Sequence, residues 1–148
     1  MTAFNTATEI SPAALQENID NIVHHDSTGL LVLSEIDKDD PRPNQQMKYI
    51  AYRPVNAQNG VFEKLGEVAF QKGHPGSFGI NGFTNEAVIS LLIDRLLRLN
   101  DLMPCEENIK ALARLQEVNL LLMSRSARMA ASYQQSSSLK EESTNGGS

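Results

Sequence analysis

Two helical patterns separated by a short break constrain the fold of this chain more than any other feature. The first pattern covers residues 86–100, the second covers residues 105–131, and residues 101–104 lie between them. Apolar residues in the first pattern recur at helical spacing on more than one side. The short break predicts an antiparallel helical hairpin. A helix that is apolar on several sides predicts burial against a further surface, such as another subunit.

The region before the hairpin predicts a small antiparallel β-sheet. Predicted strands cover residues 30–36, 47–55 and 61–71. The third strand is interrupted at Gly66, and the Asn59-Gly60 pair before it is a strong turn signal. A charged, proline-containing loop over residues 37–44 separates the first two strands. The second strand alternates well enough to predict one face in contact with water.

A helix is predicted near the N-terminus, and an unstructured tail at the C-terminus. Ser11 followed by Pro12 is a helix start, which predicts a helix over residues 12–24. From residue 134 onward the chain is polar and has no core-forming pattern, which predicts disorder over residues 134–148.

These elements predict one α+β domain, in which a small antiparallel sheet precedes a long helical hairpin and the whole assembles as a homo-oligomer. The domain is predicted to cover residues 1–133, with an N-terminal helical segment over 1–28, the sheet over 29–72 and the hairpin over 83–132. Chains of this size often complete their burial by oligomerising.

Composition narrows the function further. The net charge of −5 disfavours non-specific binding of DNA or RNA. The single cysteine, Cys105, excludes an intrachain disulfide and is typical of a reducing cytosol. The N-terminus does not resemble a signal peptide, and no apolar run is long enough for a membrane span. We therefore expect a soluble protein of the cytoplasm.

Catalytic and metal-binding patterns are weak. His24 and His25 diverge on a helix and lack a third ligand at useful spacing. His74 has no carboxylate partner that the sequence indicates, and Ser77 lacks the nucleophile-elbow pattern. Cys105 is more simply a structural thiol than a reactive one. The sequence therefore predicts no catalytic residues, no metal site and no cofactor.

Arginines of the first hairpin helix are better candidates for binding. Arg95 and Arg98 share a face one turn apart, and arginine is suited to bidentate phosphate contacts. The plain alternative is that both are surface residues, with Arg98 paired to Asp94 or Asp101. The apolar character of this helix favours an interface instead, where symmetry gathers several copies around one ligand.

A glycine-rich loop precedes the hairpin. This glycine loop covers residues 73–82, and its glycines and asparagine allow tight turns that expose backbone N–H groups. Phe70 before it is either a core residue or a platform for a nucleotide base. Asn81 is either a turn residue or a hydrogen-bonding partner for a ribose or base.

The loop and hairpin together resemble a recurring phage pattern. The matching stretches are Val68-Ala-Phe-Gln-Lys-Gly73, Gly79-Ile-Asn-Gly-Phe-Thr-Asn-Glu-Ala87, Leu92-Ile-Asp-Arg-Leu96, Pro104-Cys-Glu-Glu-Asn108 and Leu115-Gln-Glu117. Residues 68–128 thus resemble the helical-hairpin domain of phage anti-defence nucleotide sponges. The closest resemblance is to the Thoeris anti-defence type 1 proteins, which also place an antiparallel sheet before the hairpin. The anti-CBASS type 2 sponges share the hairpin.

The resemblance implies a phage-encoded, non-enzymatic protein of the host cytoplasm. It implies tight binding of glycocyclic ADP-ribose from Thoeris systems, or of cyclic di- and trinucleotides from CBASS systems, without cleavage. It also implies a homo-oligomer, a hexamer in the family. Carried onto this chain, the ligand-binding residues are Phe70, Asn81, Gly82, Thr84, Arg95 and Arg98.

Two other functions remain open from the sequence. One is a non-catalytic interaction module, in which the hairpin only oligomerises and the tail recruits a host protein. The other is an enzyme that cleaves the signalling nucleotide, for which His74 is the first candidate.

Overall fold

The computed structural model describes residues 9–36, 39, 46–56 and 58–145. It is an α+β protein in which a five-stranded antiparallel sheet is followed by two helices, the second very long. This confirms the predicted class and the predicted order of sheet and helices. The chain divides into two compact units, Met1–Phe83 and Thr84–Ser148. The division falls where the predicted hairpin begins.

The sheet has the order β1-β5-β4-β3-β2, and every neighbouring pair is antiparallel. The strands are β1 Glu9–Ile10, β2 Ile22–His25, β3 Leu31–Ile36, β4 Gln46–Asn56 and β5 Val61–Ala69. The three central strands confirm the three that the sequence predicts. The two short edge strands were not predicted, because two and four residues are too few to show a period. The predicted loop at residues 37–44 lies, apart from residue 39, outside the described residues.

One face of the sheet carries the core of the first unit. Leu31 and Leu33 alternate along β3 and are fully buried opposite Tyr52 and Ile50 of β4. Ile10 completes this buried cluster. The short helix α1, Pro12–Glu17, packs its alanine and leucine side chains onto the same cluster. The core is small, since few of the described residues in this unit are fully buried.

The helix predicted over residues 12–24 is wrong in its length. Ser11 caps α1 as predicted, its hydroxyl accepting from the Ala14 N–H at 3.2 Å. The helix then stops, because the Asn18 side chain donates to the Ala14 carbonyl at 2.7 Å and competes with further helical bonding. The β-branched residues Ile22 and Val23 enter β2 instead, where pairing with β3 outweighs local helix propensity.

Gly66 does not break the third predicted strand but lies beside a β-bulge within it. Ala51 pairs with Gly66 and Tyr52 pairs with Lys64, which leaves Leu65 as an extra residue. A bulge of this kind keeps the strand continuous while increasing its local twist.

The second unit is a helical hairpin. After the one-turn helix α2, Pro75–Phe78, of the first unit, helix α3 covers Asn85–Leu102 and helix α4 covers Glu106–Asn145. The two helices pack against each other around the buried Leu112. A polar contact also joins them, since Asn119 Nδ2 lies 3.4 Å from Ser90 Oγ. None of the described helices combines the length and the apolar composition that crossing a lipid bilayer requires.

The predicted disorder of residues 134–148 is wrong up to Asn145, because α4 continues to that residue. No glycine or proline occurs between Cys105 and Asn145 to stop the helix. The serines that suggested a polar tail donate their hydroxyls to carbonyls one turn earlier; the Ser136 hydroxyl, for example, lies 3.0 Å from the Ser132 carbonyl. Such bonds satisfy serine inside a helix. Residues 146–148 lie outside the described residues.

Candidate functional site

The base of the glycine loop is closed by a short backbone ladder. A parallel bridge joins Phe70 to Phe83. The Gln71 N–H donates to the Phe83 carbonyl at 2.8 Å, and the Phe83 N–H donates to the Ala69 carbonyl at 2.8 Å. The loop therefore leaves the end of β5 and returns beside it.

Two side chains then fix the interior of the loop. Asn81 bonds the backbone of Lys72 in both directions, its Oδ1 accepting from the N–H and its Nδ2 donating to the carbonyl, each at 2.8 Å. Gln71 Oε1 accepts from the Asn81 N–H at 3.0 Å, and Gln71 Nε2 donates to the Gly79 carbonyl at 2.8 Å. Asn81 thus closes the loop, which corresponds to the turn role that the sequence left open beside a ligand contact. Sequence reasoning missed Gln71, since a glutamine beside a loop carries no distinctive signal.

Glycines occupy the positions where the loop has no space for a side chain. A Cβ on Gly82 would lie 2.5 Å from the Phe70 carbonyl carbon and oxygen. Gly73 has a φ of +74°, and a Cβ there would lie 2.4 Å from the Phe78 ring. Gly82, another predicted ligand contact, is therefore required by the close approach of two backbone segments.

The aromatic and aliphatic side chains of the loop differ in their surroundings. Phe70 is half-buried and lies edge-to-face with Tyr49, with ring centroids 5.6 Å apart. Phe78 is 70% exposed and Ile80 is 92% exposed. The Phe70 ring therefore lies beside the sheet, whereas Phe78 and Ile80 of the loop are in contact with water.

Thr84 belongs to the second unit, where it caps α3. Its hydroxyl accepts from the Ala87 N–H at 3.2 Å. Glu86 in the first turn accepts a hydrogen bond from the Ser126 hydroxyl of α4. This bond, with smaller contributions from its own backbone N–H, Thr84 and Arg125, lowers the pKa of Glu86. The N-terminus of α3 is thereby fastened to α4.

Arg95 and Arg98 have different environments on α3. Arg98 Nε donates to Asp94 Oδ2 at 2.9 Å in an exposed pair, and this bond raises the pKa of Arg98. The ion pair that the sequence offered as the plain alternative is present. Arg95 is exposed and has no ion-pair partner among the described residues.

Arg95 also lies in the middle of an apolar surface. We call this surface the α3 seam; its members follow helical spacing on the side of α3 away from α4, and they are Val88, Leu91, Leu92, Arg95, Leu99 and Leu102. Leu91 is 59% exposed and Leu102 is 79% exposed. Arg95 is thus surrounded by leucines whose side chains are exposed.

Other reactive residues have local structural roles or lie apart. His24 Nε2 lies 2.9 Å from Asp26 Oδ2, and the Thr28 hydroxyl and then His24 lower the pKa of Asp26 to about 2. His74 Nδ1 accepts from the Gly76 N–H at 3.0 Å. Cys105 is a free, exposed thiol. Among the described residues, no group of three His, Cys, Asp or Glu side chains is placed to hold a metal ion.

No protein-family model and no curated protein sequence matches this chain. The candidate residues therefore fall into two sets by their own geometry. Phe70, Asn81 and Gly82 share one closed loop in the first unit, whereas Thr84, Arg95 and Arg98 share one helix in the second.

Proposed function

We propose that this protein sequesters cyclic nucleotide immune signals without degrading them. The ligands are glycocyclic ADP-ribose of Thoeris defence and, as a second class, the cyclic di- and trinucleotides of CBASS defence. The protein would act as a homo-oligomer, a hexamer by the resemblance of residues 68–128, in the cytoplasm of a phage-infected host. The observation that carries the proposal is the position of Arg95 within the α3 seam.

The α3 seam favours both an interface and an anion. Its exposed leucines would gain free energy on burial, at about 25 cal/mol per Å² of apolar surface. Covering them with a second copy of the chain would bury Arg95 as well. A buried cation without a partner costs several kcal/mol. A phosphate group removes this penalty, because a guanidinium binds phosphate through two parallel hydrogen bonds.

The same reasoning ranks the two arginines. Arg98 already has Asp94 as a partner, so a phosphate must compete with a carboxylate for it. Arg95 has no such competitor among the described residues. We therefore assign the main phosphate contact to Arg95 and a secondary one to Arg98.

Considered by itself, the glycine loop also has groups that suit a nucleoside. Phe70 is oriented by Tyr49, which reduces the entropy that stacking on a base would cost. Asn81 keeps one amide hydrogen and one lone pair beyond its bonds to Lys72. Gly82 contributes by allowing the backbone approach that shapes the loop, and Thr84 by starting α3.

A capture-and-release experiment tests the proposal. The protein is incubated separately with glycocyclic ADP-ribose isomers and with cyclic tri-adenylate, and removed by filtration. Nucleotide in the filtrate is measured, and the retained protein is heat-denatured to release what it holds. We expect depletion of at least one signal and its recovery intact. Recovery of a cleaved nucleotide would instead identify an enzyme.

An interaction module is the second candidate, because Ile80 and Phe78 are large exposed apolar side chains on a loop that is internally bonded. That function predicts an oligomer, or a captured protein partner, with no depletion of either nucleotide class. The same filtration experiment therefore separates the two.

A further inference from the structure

The C-terminal part of α4 extends beyond the helix that it packs against. The bond between Ser126 and Glu86 joins α4 to the first turn of α3. Residues 127–145, which we call the α4 extension, continue past that point, and residues 127–144 are all exposed. At 1.5 Å per residue the extension is roughly 28 Å long. A single helix of this length is marginally stable in water, so a partner would stabilise it.

We infer that the α4 extension pairs with the same segment of a second copy as a short antiparallel coiled coil. In a heptad frame, Met129 and Ser136 occupy a positions, and Ser132 and Leu139 occupy d positions. An antiparallel pair places a opposite d. Met129 of one copy then packs on Leu139 of the other, and Ser132 packs on Ser136. The serine layers allow close approach, since their hydroxyls are bonded within their own helices.

Charge complementarity selects this direction. Arg128 and Glu142 are two heptads apart, so both occupy g positions. The antiparallel register that joins Met129 to Leu139 also brings Arg128 of one copy beside Glu142 of the other, and two-fold symmetry makes the contact twice. Neither side chain has an ion-pair partner among the described residues. A parallel pair would instead place Arg128, at g, beside Tyr133 at the next e position of the second copy, which carries no negative charge.

The pairing is independent of the function proposed above, since it involves neither the α3 seam nor a nucleotide. Its area is small compared with the 1,200–2,000 Å² or so that stable complexes bury. We therefore expect a weak contact that either dimerises the protein at high concentration or links larger assemblies.

Disulfide trapping in the full-length chain tests the pairing and its direction. Met129→Cys and Leu139→Cys are made separately, each in a Cys105→Ser background, and oxidised alone and as an equal mixture. Both replaced side chains are exposed, so folding should be preserved. We expect a covalent dimer only in the mixture. Dimers from either variant alone would show parallel pairing, and no dimer in any sample would overturn the proposal.

Charge exchange gives a second, independent readout. Arg128→Glu and Glu142→Arg each place like charges together at both contacts, so each should weaken association about tenfold in sedimentation analysis. The double variant restores opposite charges and should associate within about twofold of the unaltered protein. A double variant that is no better than the singles would contradict the register.

Discussion

The candidate binding residues of the glycine loop already have hydrogen-bond partners, whereas Arg95 in the α3 seam has no counter-charge among the described residues. In the loop, the amides of Gln71 and Asn81 bond to the loop backbone. In the seam, a cation lies among exposed leucines without a described counter-charge. The loop contacts all form within one chain. The seam, in contrast, gains free energy only when a second copy of the chain or a ligand covers it. The comparison shows that the partners a side chain already has indicate its role better than its residue type does.

The contrast between Arg95 and Arg98 repeats this lesson at shorter range. The two residues are one turn apart on α3 and identical in chemistry. An aspartate one turn before Arg98 supplies its ion pair, whereas the residue in the same place before Arg95 is Leu91. The spacing of the two arginines suggests one shared role, but the residue one turn earlier gives them different environments.

The largest loss of stability is expected from Gly82→Ala, which tests whether the loop is closed by the close approach of Gly82 to Phe70. The added Cβ would meet the Phe70 carbonyl at 2.5 Å, so backbone must shift and the first unit should lose about 3 kcal/mol of unfolding free energy. Gly66→Ala is the matched control, because a Cβ there meets no atom within 4 Å. Denaturant unfolding of both variants measures the difference. Equal stabilities would mean that the loop is not closed as described.

Arg95→Leu tests whether the seam needs an anion. The variant extends the apolar surface, so ligand-free self-association should strengthen, while nucleotide capture should weaken about a hundredfold from loss of a charge-assisted contact. Arg98→Leu, one turn away, should weaken capture less. Equilibrium binding and sedimentation on both variants provide the readouts. A larger loss in Arg98→Leu would reverse the ranking of the two arginines.

Asn81→Ala tests two roles of Asn81, which are closing the loop and supporting nucleotide capture. The change removes both bonds to the Lys72 backbone and should cost the first unit about 2 kcal/mol of stability. We expect nucleotide capture to be abolished with the oligomer intact. Asn81→Asp keeps the oxygen that accepts from the Lys72 N–H but not the donor, so its loss of stability should be smaller. Unchanged stability in Asn81→Ala would show that the loop does not depend on this side chain.

The smallest effect is expected from Ser126→Ala in the hairpin. Because the folded state lowers the pKa of Glu86 from its ordinary value of 4.5, the stabilisation is present above that pH and is lost as the pH falls through the folded pKa. The variant should therefore lose about 1 kcal/mol at pH 7 and less at an acidic pH well below 4.5, where Glu86 becomes protonated.

Ser124→Ala is the control for this experiment, because the Ser124 hydroxyl bonds only to a carbonyl of its own helix. Thermal unfolding of both variants at the two pH values makes the comparison. A loss in Ser126→Ala that does not change with pH would exclude Glu86 as its cause.

Much of the fold could be predicted because local signals agreed with it. Ser11 and Pro12 mark the start of α1, and Pro104 marks the break between α3 and α4. Two predictions were wrong for different reasons, one because the segment pairs with another strand and the other because serine can bond within its own helix. Ile22 and Val23 followed a helical pattern yet pair with β3, and the serines of α4 suggested a loop yet bond within the helix.

The sequence could name candidate residues but not the contacts that they make. A resemblance can indicate Phe70, Asn81 and Arg95, because residue identity and order are properties of the sequence. It cannot show that Asn81 bonds to Lys72, nine residues earlier, or that Gln71 matters equally. Those contacts depend on how the chain returns to itself beside β5.

Periodicity, caps and breakers in the sequence were enough to establish the α+β class, the three central strands and the two helices, since each depends on residues a few positions apart. Tertiary structure decided the edge strands and the closure of the glycine loop. These features depend on which distant groups meet, and the free energy of such contacts exceeds the small local preferences that a sequence pattern reports.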